Sequence, residues 1–132
     1  MDVYIKQLRS VLELAVRAWH GAITLAEQLE IERVQKCVAH IILDDDYVSY
    51  KEALKTLNLE SLLFRRSKLC LKFVKKAERH EKFQHWFKVS NPKPNTRQKT
   101  SKYCEVKAMH NRFQKSPLSF LTRMLNENYS KK

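Results

Sequence analysis

A near-absence of glycine and proline, combined with helical spacing of apolar residues, constrains this chain more than any other feature. Its 132 residues include one glycine and three prolines, whereas β-sandwiches and barrels need many turns rich in these residues. Apolar side chains that recur every three or four residues are typical of amphipathic helices. We therefore predict an all-α fold, a small helical bundle of four to five helices with a basic, partly disordered C-terminal segment.

The first two predicted helices have recognisable starts and stops. One is predicted over residues 3–19, and Gly21 stands where a helix C-terminal stop is expected. Thr24 with Glu27 forms a capping box, which predicts a second helix running to about Leu43. On that helix we expect Glu32 and Lys36 to pair on the solvent side. Its apolar side is expected to hold Leu25, Leu29, Val34, Val38 and Ile41 or Ile42.

Two further helices are predicted in the middle of the chain. Ser49 with Glu52 makes a second capping box for a short helix, and Asn58 suits the left-handed position after it. A longer helix is predicted over residues 60–79. Residues 103–113 fit either an extended segment or a helical turn, and the sequence does not decide between the two.

The chain is predicted to divide into a helical domain and a small C-terminal segment. The helical domain covers residues 1–87, and a flexible basic linker with two prolines covers residues 88–102. Residues 103–132 form a short segment with one helix, for which Ser116 is the cap and Pro117 the first residue.

Charge is distributed unevenly along the chain. The net charge of +12 arises because residues 1–60 carry −3 and residues 61–132 carry +15. Such asymmetry favours contact with a polyanion, RNA or DNA above all. A solvated face with a basic tail, or an acidic membrane or protein partner, remains an alternative.

The predicted helix 60–79 carries the candidate binding residues. It is basic and amphipathic, and cations on a helix bind phosphates without reading sequence and in a salt-dependent way. Trp86 or Phe87 could stack a base if exposed, but large aromatic residues beside such a helix are more often core. The candidate nucleic-acid-binding residues are Arg65, Arg66, Lys68, Lys72, Lys75, Lys76 and Arg79.

Signals for catalysis, metal or a cofactor are weak, and we predict none of the three. The acidic run at residues 44–46 lacks a converging third group, and Cys37 with His40 lacks the paired spacing of a zinc site, as does Cys104 with His110. Three scattered cysteines argue against a disulfide framework. With no apolar run of membrane length, we expect an intracellular protein, nuclear or cytoplasmic, without a membrane partner.

The order of several short blocks gives the chain a family resemblance. Residues 11–43 and the blocks around them resemble the region after the fingers and palm in jockey-like non-LTR retrotransposon reverse transcriptases. The likeness extends over residues 3–125, with two departures: Arg17 stands where proline is usual, and Asp44 where glycine is usual. The blocks that carry it are residues 9–13, 19–20, 31–36, 40–43, 49–50, 53–54, 57–62, 65–66 and 69–73.

This resemblance implies a helical thumb and post-thumb segment that holds a template–primer duplex by its backbone. The residues that bind metal and nucleotide in such a polymerase would lie upstream of Met1, so we expect no polymerase activity from this chain. A missing palm and fingers region is then a further expected partner. The alternative is a helical protein-interaction module whose exposed apolar face docks on a partner and which has no nucleic-acid role.

Overall fold

The regular structure of the chain is helical, which confirms the all-α prediction. The computed structural model describes residues 3–90, 101–105 and 111–130. Within these ranges, four helices have seven or more residues and one antiparallel bridge joins Val89 to Tyr103. The α-helical segments are α1 (Arg9–Leu12), α2 (Val16–Trp19), α3 (Leu25–Leu43), α4 (Tyr50–Thr56), α5 (Leu62–Arg79), α6 (Asn111–Gln114) and α7 (Pro117–Ser130).

The prediction of one continuous helix over residues 3–19 is wrong. A π-helical turn at Tyr4–Leu8 leads into α1, and the chain then breaks before α2. At the break Ala15 has a φ of 48°, a left-handed value that no helix interior tolerates and that costs a residue with a Cβ. The periodic apolar residues therefore do not share one face, and Val3 and Val11 are 65% and 69% exposed.

Helix α3 begins and ends where the sequence places it. The Thr24 hydroxyl accepts a hydrogen bond from the Glu27 backbone N–H, and the Glu27 carboxylate accepts from the Thr24 N–H at 2.6 Å, so the predicted capping box is confirmed. The helix ends at Leu43, where Asp44 takes a φ of 43° and a ψ of −112°. Glycine adopts this backbone conformation far more easily than aspartate.

The apolar side predicted for α3 is not its buried side. Leu25, Leu29 and Ile41 are 71%, 62% and 76% exposed, whereas Gln35 and Ala39 are buried. Gln35 can be buried because both polar atoms of its side chain are paired: Oε1 accepts from the Tyr4 hydroxyl at 2.9 Å and Nε2 donates to the Glu60 carbonyl at 3.0 Å. Polar groups can occupy a core position when they are paired in this way.

The expected surface pair of Glu32 with Lys36 is also wrong. The Glu32 carboxylate instead accepts hydrogen bonds from the backbone N–H groups of Leu62 and Leu63, each at 3.1 Å, and from the Tyr50 hydroxyl at 2.5 Å. A carboxylate at a helix N-terminus satisfies orphan donors and complements the helix dipole. Glu32 therefore fixes the start of α5.

The remaining predicted helices are confirmed. Ser49 accepts from the Glu52 N–H at the start of α4, and Asn58 is left-handed with a φ of 52° after it. Pro117 is the first residue of α7, and the Ser116 hydroxyl accepts from the Ser119 N–H at 3.4 Å. Tyr103 lies in the bridge and α6 is helical, so the undecided stretch 103–113 contains both structures, although residues 106–110 lie outside the described ranges.

The two ends of the predicted linker 88–102 are tied together. The Ser90 N–H donates to the Lys102 carbonyl at 2.9 Å and the Cys104 N–H to the Lys88 carbonyl at 2.8 Å. Residues 91–100, the rest of that linker, lie outside the described ranges. The flexibility of this linker stays a prediction.

The chain forms two units whose limits differ from the predicted boundary at residue 87. Unit 1 comprises Met1–Val16 and Ile23–Lys68, and unit 2 comprises Arg17–Ala22 and Leu69–Lys132. The core of unit 1 holds Tyr4, Val16, Ala39, Ala53 and Leu62, and that of unit 2 holds Cys70, Val74, Ala77, Phe87, Tyr103, Leu121 and Leu125. Among the described residues, no helix is long and apolar enough to cross a membrane.

Gly21 is required for close packing in unit 2 rather than for a left-handed helix stop. Its φ is not positive, but a Cβ at this position would overlap the Cβ and Cγ of Phe120. The adjacent His20 is buried, and its ring packs edge-on against Phe120 with centroids 5.5 Å apart. Glycine is therefore needed at position 21 because of its contact with Phe120 and not because of a left-handed backbone.

Candidate nucleic-acid interface

Helix α5 carries all seven predicted binding residues, and the structure separates them into two groups. Arg65, Arg66 and Lys68 belong to unit 1, whereas Lys72, Lys75, Lys76 and Arg79 belong to unit 2.

The three basic residues of unit 1 are engaged within the protein. Arg66 has no exposed surface, and its Nε donates to the Leu62 carbonyl at 3.2 Å, so it cannot reach a phosphate in this conformation. Arg65 is half-buried and forms an ion pair with Glu13. Lys68 is exposed, but its Nζ lies 2.9 Å from Glu60. Arg66 is therefore buried in this structure, and Arg65 and Lys68 are each paired with a carboxylate of the same unit.

The spacing of the residues around Arg66 contains the signal for its burial. Leu62 and Cys70 stand one turn before and one turn after it, and both have no exposed surface. Residues four apart on a helix share a face. The position of Arg66 on the apolar side of α5 therefore outweighs its charge in deciding its burial.

The four basic residues of unit 2 form one exposed stripe, which we call the cationic stripe. Lys72, Lys76 and Arg79 are exposed and Lys75 is half-buried. Their spacings of three and four residues place them on one side of α5, opposite the buried Cys70, Val74 and Ala77. Within the described part of the chain, none of the four forms an ion pair.

Glu78 is the acidic residue in this part of α5, and its carboxylate is paired with other side chains of unit 2. Its carboxylate accepts hydrogen bonds from the hydroxyls of Tyr103 and Tyr129, the latter at 2.7 Å, and lies 3.2 Å from Lys102 Nζ. Burial disfavours the ionised form of Glu78, but these three groups outweigh it and hold its pKa below the ordinary 4.5. Burial and the bond to Glu78 raise the pKa of Tyr103 to about 12.

A cleft of about 500 Å³, which we call the α5 cleft, lies beside the cationic stripe within unit 2. Lys72 and Lys76 line it from the stripe, and Arg17 and His80 add two more nitrogen-bearing side chains. Its aromatic walls are Phe73 and Phe83, both half-exposed. No sequence pattern groups Arg17 with the stripe, because the two are more than fifty residues apart and meet only through folding.

The aromatic residues after α5 divide between core and cleft. Phe87 is buried, with its ring centroid 6.0 Å from that of Tyr103, so it cannot stack a base. Trp86 is half-buried and packs on Phe83 with centroids 4.7 Å apart. The exposed aromatic surface near the cationic stripe therefore comes from Phe73 and Phe83, which the sequence did not single out as stacking residues.

The weaker candidate sites hold no converging ligand set. In the ranges that the structure describes, no three His, Cys, Asp or Glu side chains are grouped as a metal site would need. Residues 44–46 form an exposed 3₁₀ turn. Cys37 and His40 line a shallow hollow of about 450 Å³ in unit 1 together with Arg33 and Lys36, two cations unsuited to ligating a metal. His110 lies outside the described ranges.

Comparison of the chain with known proteins found no matching family model, no matching curated protein and no matching solved structure.

Proposed function

We propose that the chain binds RNA or DNA through the sugar–phosphate backbone, without sequence preference, as a thumb-like segment related to jockey-like reverse transcriptases. The observation that carries this proposal is the cationic stripe of Lys72, Lys75, Lys76 and Arg79, of which all but the half-buried Lys75 are exposed and none forms an ion pair among the described residues. Phosphate contacts from such residues supply affinity but carry no sequence information. The family resemblance supports the same function independently.

The geometry of α5 favours a polyanion over a small anion. Eighteen residues make the helix about 27 Å long at 1.5 Å per residue. The stripe covers two turns of it, a length that spans several phosphates of a nucleic-acid strand. A backbone contact of this kind neither requires nor uses base-edge readout, in agreement with the lack of exposed Asn or Gln on this stripe.

The test is the affinity of the purified chain for a 12-base-pair RNA–DNA hybrid across a salt series, with circular dichroism on the same sample. We expect a helical protein whose binding constant falls with salt, with a log–log slope of about −0.9 for each phosphate neutralised. The triple variant Lys72→Glu/Lys76→Glu/Arg79→Glu should bind at least tenfold more weakly and with a shallower slope.

A matched control has the same charge change on unit 1. The triple variant Lys36→Glu/Lys51→Glu/Lys55→Glu alters three exposed lysines of α3 and α4 and leaves α5 intact. If the control weakens binding as much as the α5 variant, net charge alone drives association and the proposed interface is wrong. Salt-independent affinity of the unmodified chain would also contradict the proposal.

The protein-interaction alternative has one specific observation in its favour. Leu25 and Leu29, one turn apart at the start of α3, are 71% and 62% exposed, which leaves an uncovered apolar patch on unit 1. Contiguous exposed apolar surface is a common mark of a protein interface. Binding of a defined protein partner with little salt dependence, and no affinity for the hybrid, would favour this alternative.

A further inference from the structure

The α5 cleft combines three properties that a plain phosphate-binding surface does not need. It is concave, with a volume of about 500 Å³, within the range of about 300–1,000 Å³ found for small-ligand sites. It has two half-exposed aromatic walls, and its rim is cationic. Phosphates alone would be held equally well by an exposed row of lysines.

The aromatic surface of the cleft is built by local packing. Phe83 lies against Trp86 at 4.7 Å and against His80 at 5.4 Å between ring centroids, and its side chain remains half-exposed. On the other wall the Arg17 guanidinium lies 5.2 Å from the centroid of the Phe73 ring. Planar guanidinium and phenyl groups are the surfaces on which unpaired bases stack.

The cations stand where the phosphates of such a nucleotide would lie. Lys72 and Lys76 line the cleft and are also members of the cationic stripe, so the cleft and the stripe are adjoining surfaces. The small buried Ala77 is also among the lining residues and leaves space between the walls. An aromatic slot with a basic rim is the arrangement by which proteins hold single strands without reading sequence.

We infer that the α5 cleft holds the base of an unpaired nucleotide, stacked on Phe83 and Phe73, while Lys72 and Lys76 bind its phosphates. This inference rests on the proposed backbone binding and extends it, because it assigns a preference for single-stranded over fully paired segments. The ligand is a single strand of RNA or DNA with any base, since every base presents a flat face.

The experiment compares three ligands for the full chain by fluorescence anisotropy at one salt concentration. They are a thymidine 12-mer, an abasic 12-mer with the same number of phosphates, and a blunt 12-base-pair duplex. The thymidine strand should bind about tenfold more tightly than the abasic strand, because only the bases differ between them. Equal affinity for these two strands would overturn the inference.

Two variants test whether the preference for strands with bases arises in the α5 cleft. Phe83→Leu keeps an apolar side chain beside Trp86 but removes the flat ring, and it should abolish the preference for bases. The control Phe64→Leu changes an aromatic residue of α5 that is 59% exposed and lies in unit 1, and it should keep the preference. Persistence of the full preference in Phe83→Leu would show that the bases bind elsewhere.

The outcomes also separate this inference from the proposed function. Salt-dependent binding to the duplex and to both strands, with no difference between the strands, retains backbone binding and rejects the base slot. Absence of binding to all three ligands rejects both.

Discussion

Glu32 shows how one residue decides the assembly of unit 1. Its carboxylate holds the first residue of α4 through the Tyr50 hydroxyl and the first two residues of α5 through their N–H groups. From sequence, Glu32 and Lys36 looked like an ordinary solvent-side pair, since the periodic pattern says only which residues share a face. The three groups that donate hydrogen bonds to Glu32 belong to residues 18 to 31 positions away along the chain. A local sequence pattern therefore cannot indicate them.

We expect Glu32→Gln to lower the free energy of unfolding by about 2 kcal/mol. The amide has one acceptor oxygen, and its NH₂ group would face a backbone N–H that now has no acceptor. Urea denaturation followed by circular dichroism measures the change. The matched control is Glu30→Gln, whose surface pair with Arg33 contributes no more than about 0.5 kcal/mol. A loss below that of the control would mean that solvent replaces the carboxylate at the start of α5.

Helix α5 is anchored differently in unit 2. Glu78 joins it to Tyr103 and to Tyr129 of α7, and Asn126 of α7 exchanges two hydrogen bonds with the Tyr103 backbone at 3.0 and 3.1 Å. Lys102 Nζ completes the cluster, 3.8 Å from the centroid of the Tyr129 ring. These contacts hold α5 through the flank beside the cationic stripe and leave Lys72, Lys76 and Arg79 exposed.

The lowered pKa of Glu78 predicts a pH dependence of stability. Because its folded-state pKa lies below the ordinary 4.5, the ionised carboxylate stabilises the fold above that value, and this contribution is lost as pH falls through the folded-state pKa. Glu78→Gln should therefore be less stable than the unmodified chain at pH 7, and the difference should shrink below about pH 4.5. Thermal melts from pH 3 to pH 7 measure it, with the exposed Glu127→Gln as control. A constant difference across this range would contradict the assignment.

The net charge acts on the whole molecule. A charge of +12 on 132 residues opposes compaction by self-repulsion, and salt screens that repulsion. We expect the melting temperature to rise by about 3–5 °C between 50 and 500 mM NaCl, since a shift of about 1 kcal/mol moves Tm by several degrees for a chain of this size. Differential scanning calorimetry measures it. A fall in Tm would show that ion pairs such as Arg65–Glu13 outweigh the repulsion.

Substitutions on the cationic stripe should change this salt response in a defined direction. Lys72→Glu/Lys76→Glu/Arg79→Glu halves the net charge of +12, so its Tm should rise less with salt. The same variant therefore tests how much the cationic stripe contributes to the charge repulsion within the protein, without any nucleic acid present.

The sequence by itself determined the helical class, most helix limits and the presence of a basic stripe on α5. These features depend on neighbours within one or two turns: the Thr24 and Ser49 caps, the left-handed Asn58, Pro117 at a first turn, and the clustering of lysines. Local backbone chemistry is the same in the isolated segment and in the folded chain, so it can be read from the residues alone.

Only the tertiary structure decided which side of each helix is covered and which cations are available. Gln35 is buried while Leu29 is exposed, and Arg66 is buried while Lys72 faces solvent. The burial of each side chain depends on hydrogen-bond partners and packing neighbours from distant positions in the chain. Tyr4, Glu60 and Arg17 are examples. Charge and hydropathy describe how each residue type behaves on average. A buried polar group is stable only where specific partners form hydrogen bonds with it. Those partners come together only when the chain folds.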